Sequence, residues 1–325
     1  MHTFIEQLIQ SARLDAASAR QLWQLSGLHE PPERLGQRLE QGLALAAAAL
    51  LGAGVIFFVA ANWQAQSRGF KLVLLQAGVL LPVLAACVQA RGRGALLLLA
   101  TLALGALLAF VGQTYQTGAD AWQLFALWAL LALPWAVLAR ADWLWAAWLL
   151  VAGTGIVAWS GLPFDVQIFG GHRAETAMMR FVRLALWALL FLWPLLARAL
   201  RLVDPPRVRA SWAVAALLAL SVWVGGGLGA LFGHDGGAFY GISLLLVLGA
   251  FVLAWRVAPR DYVVLALALM SVNAMGLGLL AKGIFSGGGS GDWLGRLTVF
   301  TLITAAAVGA SGTWLYRLQR GEARA

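Results

Sequence analysis

The residues best suited to chemistry in this chain cluster in the segment Gly112–Trp122. It places Gln113, Tyr115, Gln116 and Asp120 within eight residues of one another and contains no Lys or Arg. Amide and phenol groups can hold a polar ligand by hydrogen bonds. A carboxylate can act as an acid or a base, although such chemistry normally needs a second positioned group. The segment is therefore a candidate ligand pocket or active site.

A helix cap is the alternative interpretation of the same segment. Asp120 stands directly before an apolar run that includes Trp122. A carboxylate at that position can accept hydrogen bonds from the amides of the first helical turn and interacts favourably with the helix dipole. The sequence leaves both roles of Asp120 open.

Two further polar positions qualify as candidates for ligand binding. Asn62 and Trp63 end the first apolar run, where Asn can also terminate a helix. We predict that they lie on the same side of the membrane as Gly112–Trp122. Asn273 lies within a later apolar run, where it either hydrogen-bonds to a neighbouring helix or lines the path of a solute.

A membrane domain must position these residues, because 61% of the chain is hydrophobic and only 11% is charged. Soluble domains average about 25% charged residues. A soluble enzyme is therefore nearly excluded, and we predict an all-α, polytopic membrane helix bundle. Runs of about 20 apolar residues can each cross a bilayer as a helix. We count ten such runs, at about 43–61, 71–90, 94–112, 122–139, 143–161, 183–202, 212–232, 239–257, 262–284 and 293–316.

The domain prediction has three parts. Residues 1–41 are mixed polar and apolar, and they indicate a small cytoplasmic helical headpiece. Residues 42–317 form the transmembrane domain, and residues 318–325 form a cytoplasmic tail. A weak internal repeat relates 70–161 to 182–284 and predicts two parallel four-helix units.

The basic residues predict an orientation. The chain carries 23 Lys and Arg against 14 Asp and Glu, for a formal charge of +9. With the N-terminus in the cytoplasm, 16 of the 23 basic residues lie inside, as the positive-inside rule requires. The seven predicted outside are Arg68, Lys71, Arg173, Arg180, Arg183, Lys282 and Arg296. Both termini are therefore predicted to be cytoplasmic, and the positive charge does not indicate nucleic-acid binding.

Other site chemistries have little support. Cys87 is the single cysteine and the four histidines are scattered, so we expect no metal site and no cofactor. Gly225, Gly229 and Gly233 are spaced four apart, which predicts a helix face for close packing. The connection 162–182 carries charges of both signs and aromatic residues, and it is a candidate docking surface for an envelope protein.

The chain resembles a known bacterial family in two stretches. The run Leu-Gly-Ala-Gly-Val-Ile-Phe-Phe-Val-Ala-Ala-Asn-Trp at 51–63 and the run that begins Gly-Gln-Thr-Tyr-Gln-Thr-Gly-Ala-Asp-Ala-Trp at 112–134 look like the membrane family catalogued as domain of unknown function 2157. The headpiece is also similar, and the resemblance covers about residues 1–140. It implies a polytopic inner-membrane protein with no assigned activity.

Three functions remain open. The first is a non-enzymatic scaffold or partner of an envelope complex, which the absence of midspan charge favours. The second is a carrier of an uncharged or amphipathic solute, which the repeat and the prolines within the spans favour. The third is a membrane-embedded enzyme or ligand-binding protein that uses Gln113, Tyr115 and Asp120. The predicted partners are the lipid bilayer and an envelope protein, without nucleic acid, and the oligomeric state is left open.

Overall fold

A computed structural model describes ten long helices. It covers residue 18 and residues 33–61, 67–89, 92–115, 118, 120–160, 177–203, 209–233, 237–257, 260–286 and 293–322. The helices are α1 (Glu33–Ala61), α2 (Arg68–Val88), α3 (Arg93–Tyr115), α4 (Ala121–Ala139), α5 (Asp142–Ser160), α6 (Ala177–Ala199), α7 (Ala210–Phe232), α8 (Gly237–Arg256), α9 (Tyr262–Phe285) and α10 (Trp293–Glu322).

Nine of these helices, α2 to α10, are long and apolar enough to cross a membrane by length and composition. The described side chains of α1 contribute a shorter apolar stretch, Gly42–Gly54. An isolated chain segment can satisfy its backbone in hydrocarbon only as a helix. The predicted class, an all-α polytopic membrane bundle, is therefore confirmed.

The helices fall into two compact units. The first comprises residues 1–67 and 78–103, and the second comprises 68–77 and 104–325. In the first unit, Gly52 of α1 packs closely on α3, because a Cβ at Gly52 would lie 3.0 Å from the Leu102 side chain. The Arg93 Nε donates to the Ala86 carbonyl at 3.0 Å and so links the end of α2 to the start of α3.

In the second unit, α7 is the central helix, since it packs against α5, α6, α8 and α9. Its buried positions recur at helical spacing and include Trp212 and Trp223, each 2% exposed. The α4 helix pairs with α5, and α10 packs on α9. The helix at the centre of this unit therefore buries a wide apolar face.

Aromatic side chains fill the space between α5, α6 and α7. The ring centroids of Trp145, Trp148 and Trp193 lie 5.6 Å apart in each pairing. Phe191 lies 5.7 Å from Trp223 and 6.3 Å from Trp212. These are the offset and tilted geometries that aromatic pairs prefer. The α5–α6–α7 interface is thus a packed core.

The glycine prediction for α7 is partly wrong. Gly225 is buried, but Gly229 and Gly233 are exposed. The close approach is instead at Gly227, where a Cβ would lie 2.7 Å from Met275 Cε and 2.8 Å from Ser243 Cβ. Gly227 therefore lies where α7, α8 and α9 meet. It is not part of the four-residue spacing of Gly225, Gly229 and Gly233, so that pattern does not predict its role. The internal repeat stays a prediction.

Candidate functional site

The predicted segment Gly112–Trp122 is helical at its start. We expected the third span to end near residue 112, but α3 continues to Tyr115. Gln113 is exposed, and 64% of the Tyr115 side chain is exposed. Among the described residues, neither Gln113 nor Tyr115 hydrogen-bonds to Asp120. The ligand-binding or catalytic role of the segment stays a prediction.

Asp120 occupies the N-cap position of α4, but it does not cap the helix with its side chain. Its backbone is extended, and its carboxylate accepts no hydrogen bond from the amides of the first turn. The Trp122 indole instead donates to Asp120 Oδ2 at 3.3 Å. Asp120 therefore stands at the N-cap position, as the helix-cap interpretation predicts. Its side chain, however, bonds to the Trp122 indole and not to the helix amides. Asn62, Trp63 and Gln116 lie outside the described residues.

Asn273 links two helices. Its Nδ2 donates to Ser311 Oγ at 2.8 Å and joins α9 to α10. Helix association in membranes often uses such polar pairs, because hydrocarbon offers no competing partner. This contact corresponds to one of the two roles considered for Asn273, a hydrogen bond to a neighbouring helix.

We predict that Asn273 and Ser311 are energetically coupled. Asn273→Ala, Ser311→Ala and the double variant form a double-mutant cycle in which the coupling free energy should be about 0.6–1.7 kcal/mol. Thermal or denaturant unfolding in detergent measures it. A coupling indistinguishable from zero would mean that the bond does not hold α10 to α9.

The best-built polar group in the described residues is Asp142, which sequence reasoning did not select as a site. It begins α5, yet its carboxylate binds the start of α7. Oδ2 accepts from the amides of Arg209 at 2.9 Å and Ala210 at 2.7 Å. Oδ1 accepts from the Ser211 amide at 3.2 Å and from the Ser211 hydroxyl. Asp142 is therefore an N-cap supplied by a different helix.

Two neighbours complete this group, which we call the Asp142 clasp. Arg140, in the left-handed conformation that ends α4, donates to the carbonyl of Arg201 just beyond α6. The Trp145 indole donates to the Leu202 carbonyl at 3.2 Å. The clasp thus ties the turn between α4 and α5 to the end of α6 and the start of α7. It satisfies helix-terminal groups that would otherwise lack partners.

At the opposite end of the helices, basic side chains bind helix C-termini. Lys282 of α9 donates to the Leu231 carbonyl of α7. Arg296 of α10 donates to the Ile284 carbonyl at 3.3 Å, and Arg183 of α6 to the Ser160 carbonyl at 3.4 Å. Cations suit these positions because helix C-termini carry partial negative charge. Three of the seven basic residues predicted outside therefore have a structural role.

These contacts define which helix ends lie together. The clasp joins the ends of α4 and α6 to the starts of α5 and α7, whereas Lys282 and Arg296 join the ends of α7 and α9 to the start of α10. The ring centroids of Phe181 and Phe239 lie 5.1 Å apart, which places the starts of α6 and α8 together. The helices α5 to α10 therefore alternate in direction, as successive membrane spans do.

Among the described residues, no three His, Cys, Asp or Glu side chains form a group that could hold a metal ion. The polar contacts described above are hydrogen bonds at helix ends and the bond between Asn273 and Ser311. That arrangement stabilises a fixed set of helix neighbours.

This fold and these contacts define a polytopic helical membrane protein. Residues 6–145 match the model of the family described as Predicted membrane protein (DUF2157). The match confirms the resemblance that Gly112–Trp122 and the first apolar run indicated, and it covers α1 to α4 and the first residues of α5. No curated protein and no solved structure matches the chain.

Proposed function

We propose that this protein is a non-enzymatic scaffold, or a partner subunit, of a complex in the bacterial cell envelope. The supporting observation is which partners its polar side chains bind. Charged side chains at both ends of α5–α10 bind helix termini of the same chain, and Asn273 binds Ser311. Groups used in this way hold helices in fixed positions, which suits a protein that presents a constant surface.

We further propose that it resides in the bacterial inner membrane with both termini in the cytoplasm. The distribution of Lys and Arg supports this orientation. The bonds of Arg183, Lys282 and Arg296 to helix C-termini account for basic residues on the side that the rule disfavours. A fluorescent reporter fused after residue 325 should be active in cells. A reporter that works only in the periplasm should be inactive at the same site.

Photo-crosslinking in cells tests the scaffold. The outward side chains of Leu294 and Leu302 on α10 are 68% and 65% exposed. A photoreactive residue at either position should form an adduct with the same protein partner. Leu265, which is 0% exposed, is the matched control and should give no such adduct. The absence of protein adducts at outward positions on α4, α6, α8 and α10 alike would overturn the proposal.

A carrier is the second candidate, favoured by Pro134 and Pro194 inside α4 and α6. A carrier must bind its solute, and bound ligand at 100 times its Kd stabilises a protein by about 2.7 kcal/mol. We expect no such thermal shift from a panel of uncharged solutes. A reproducible shift that disappears in Asn273→Ala would overturn the scaffold in favour of the carrier.

A further inference from the structure

A stack of aromatic and cationic side chains marks the end of the bundle where α8 and α10 finish and α9 begins. The rings of Trp255 and Trp314 lie 5.0 Å apart at an angle of 20°. The Arg260 guanidinium lies 4.8 Å from the centre of the Trp255 ring, and its Nε donates to the Trp255 carbonyl at 3.1 Å. Phe251 lies 6.2 Å from Trp314 and extends the stack along α8. We call Trp255, Trp314 and Arg260 the end platform.

Basic residues flank the end platform along the chain. Arg256 is exposed on the last turn of α8, and Arg317 and Arg320 are exposed on α10. The Arg320 guanidinium lies 4.5 Å from the Tyr316 ring. The nearest acidic side chain along the described chain, Asp261, is engaged as the N-cap of α9, where it accepts from two backbone amides. Among the side chains that the structure describes at this end, an anion would therefore meet several arginines and one carboxylate already engaged as a cap.

The end platform lies at the depth of the membrane interface. The α10 helix has 30 residues, which at 1.5 Å per residue is about 45 Å, against about 30 Å for the hydrocarbon core. The end that carries Arg317 and Arg320 is the one placed in the headgroup region, because charged side chains are costly in hydrocarbon. Trp314 and Tyr316 are 36% and 53% exposed there, as is typical of aromatic residues at an interface.

Apolar surface continues from the end platform towards the membrane centre. On α8, Leu245 is 70% exposed and Val252 is 51% exposed. On α10, Ala310 lies one turn before Trp314 on the same face and is exposed. A ligand at this site would thus meet cations at one end and open apolar helix surface at the other. A phospholipid with an anionic headgroup has both an anionic part and an apolar part, whereas a soluble phosphate has only the anionic part.

We propose that the end platform, with Arg256 and Arg317, binds the headgroup of an anionic phospholipid. The arginines bind the phosphate, since a guanidinium fork matches its oxygens. The acyl chains lie along α8 and α10. This inference does not depend on the scaffold proposal, because a carrier could hold the same lipid.

The test is lipid competition on the full-length protein. Protein in mild detergent receives equal amounts of phosphatidylglycerol and phosphatidylcholine, and native mass spectrometry counts the bound lipids. We expect preferential retention of phosphatidylglycerol. Arg256→Gln and Arg317→Gln should each reduce that preference about fivefold, the effect of one interfacial basic residue.

Arg198→Gln is the matched control. Arg198 is also exposed and also lies in the last turn of its helix, α6, but it does not belong to the platform. Its replacement should leave the preference within about twofold. Equal retention of the two lipids by the unmodified protein would overturn the proposal. So would an equal loss in Arg198→Gln, which would indicate net charge alone, or displacement of the lipid by millimolar inorganic phosphate.

Discussion

Asp142→Ala should lower the stability of this protein more than any other aspartate-to-alanine change among the described residues. The substitution removes the acceptor for three backbone amides and the Ser211 hydroxyl at the start of α7. Loss of an N-cap costs up to about 2 kcal/mol. For a chain of 325 residues that corresponds to a fall of about 3 °C in the unfolding midpoint. Intrinsic tryptophan fluorescence during heating in detergent measures the change.

Loss of the Asp142 clasp should destabilise more of the bundle than the first turn of α7. The α7 helix packs against α5, α6, α8 and α9, so fraying of its first turn exposes Trp212, which is 2% exposed in the folded protein. Asp142→Asn keeps one carbonyl oxygen and should lie between the unmodified protein and Asp142→Ala.

Asp120→Ala is the matched control for this prediction. Asp120 also stands at the start of a helix, but its side chain makes no bond to the helix amides. Its replacement removes exposed hydrogen bonds but no bond to a helix amide, so it should cost no more than about 1 kcal/mol. If Asp142→Ala and Asp120→Ala were equally mild, the clasp would not stabilise α7.

The helices themselves were predictable because the bilayer sets their length. The fifth predicted span, 143–161, corresponds to Asp142–Ser160. A clear shift is at α6, predicted to begin at 183 and observed from Ala177. Arg180 and Arg183 lowered the apparent hydropathy there. They are accommodated because Arg180 lies 5.3 Å from the Phe239 ring and Arg183 reaches the Ser160 carbonyl.

The roles of the aspartates were not predictable from local sequence. Asp120, Asp142 and Asp261 each stand where an apolar helix begins. Asp261 caps its own helix through the amides of Val263 and Val264. Asp142 caps a helix 67 residues away, and Asp120 pairs with an indole. The difference arises from which helix ends are neighbours, and that information is in the packing of the bundle.

The same reasoning applies to the candidate site. Polarity alone drew attention to Gln113, Tyr115 and Asp120, but among the described residues no hydrogen bond joins Asp120 to the other two. The partners of Asn273 and Asp142 are far away in sequence, and their bonds exist because α9 meets α10 and α5 meets α7. A hydrogen-bonded site in this bundle depends on helix pairing, which apolar runs of similar composition do not specify.

Gly105→Ala should also have a large effect, through overpacking. A Cβ at Gly105 of α3 would lie 2.6 Å from Trp128 Cε2 of α4 and closer still to Cζ2 and Cη2. The indole is rigid, so it must rotate or the helices must separate. Overpacking of this kind costs about 1–3 kcal/mol. We therefore expect Gly105→Ala to be destabilising even though alanine favours helix formation.

Gly112→Ala separates the two effects. Gly112 lies two turns further along the same helix, and a Cβ there meets nothing within 4 Å. This variant should be neutral or slightly stabilising, because it gains helix propensity without a clash. In a Trp128→Ala background the clash is gone, so Gly105→Ala should lose most of its cost. A cost that persists in that background would show that the clash with the Trp128 side chain is not the cause of the destabilisation.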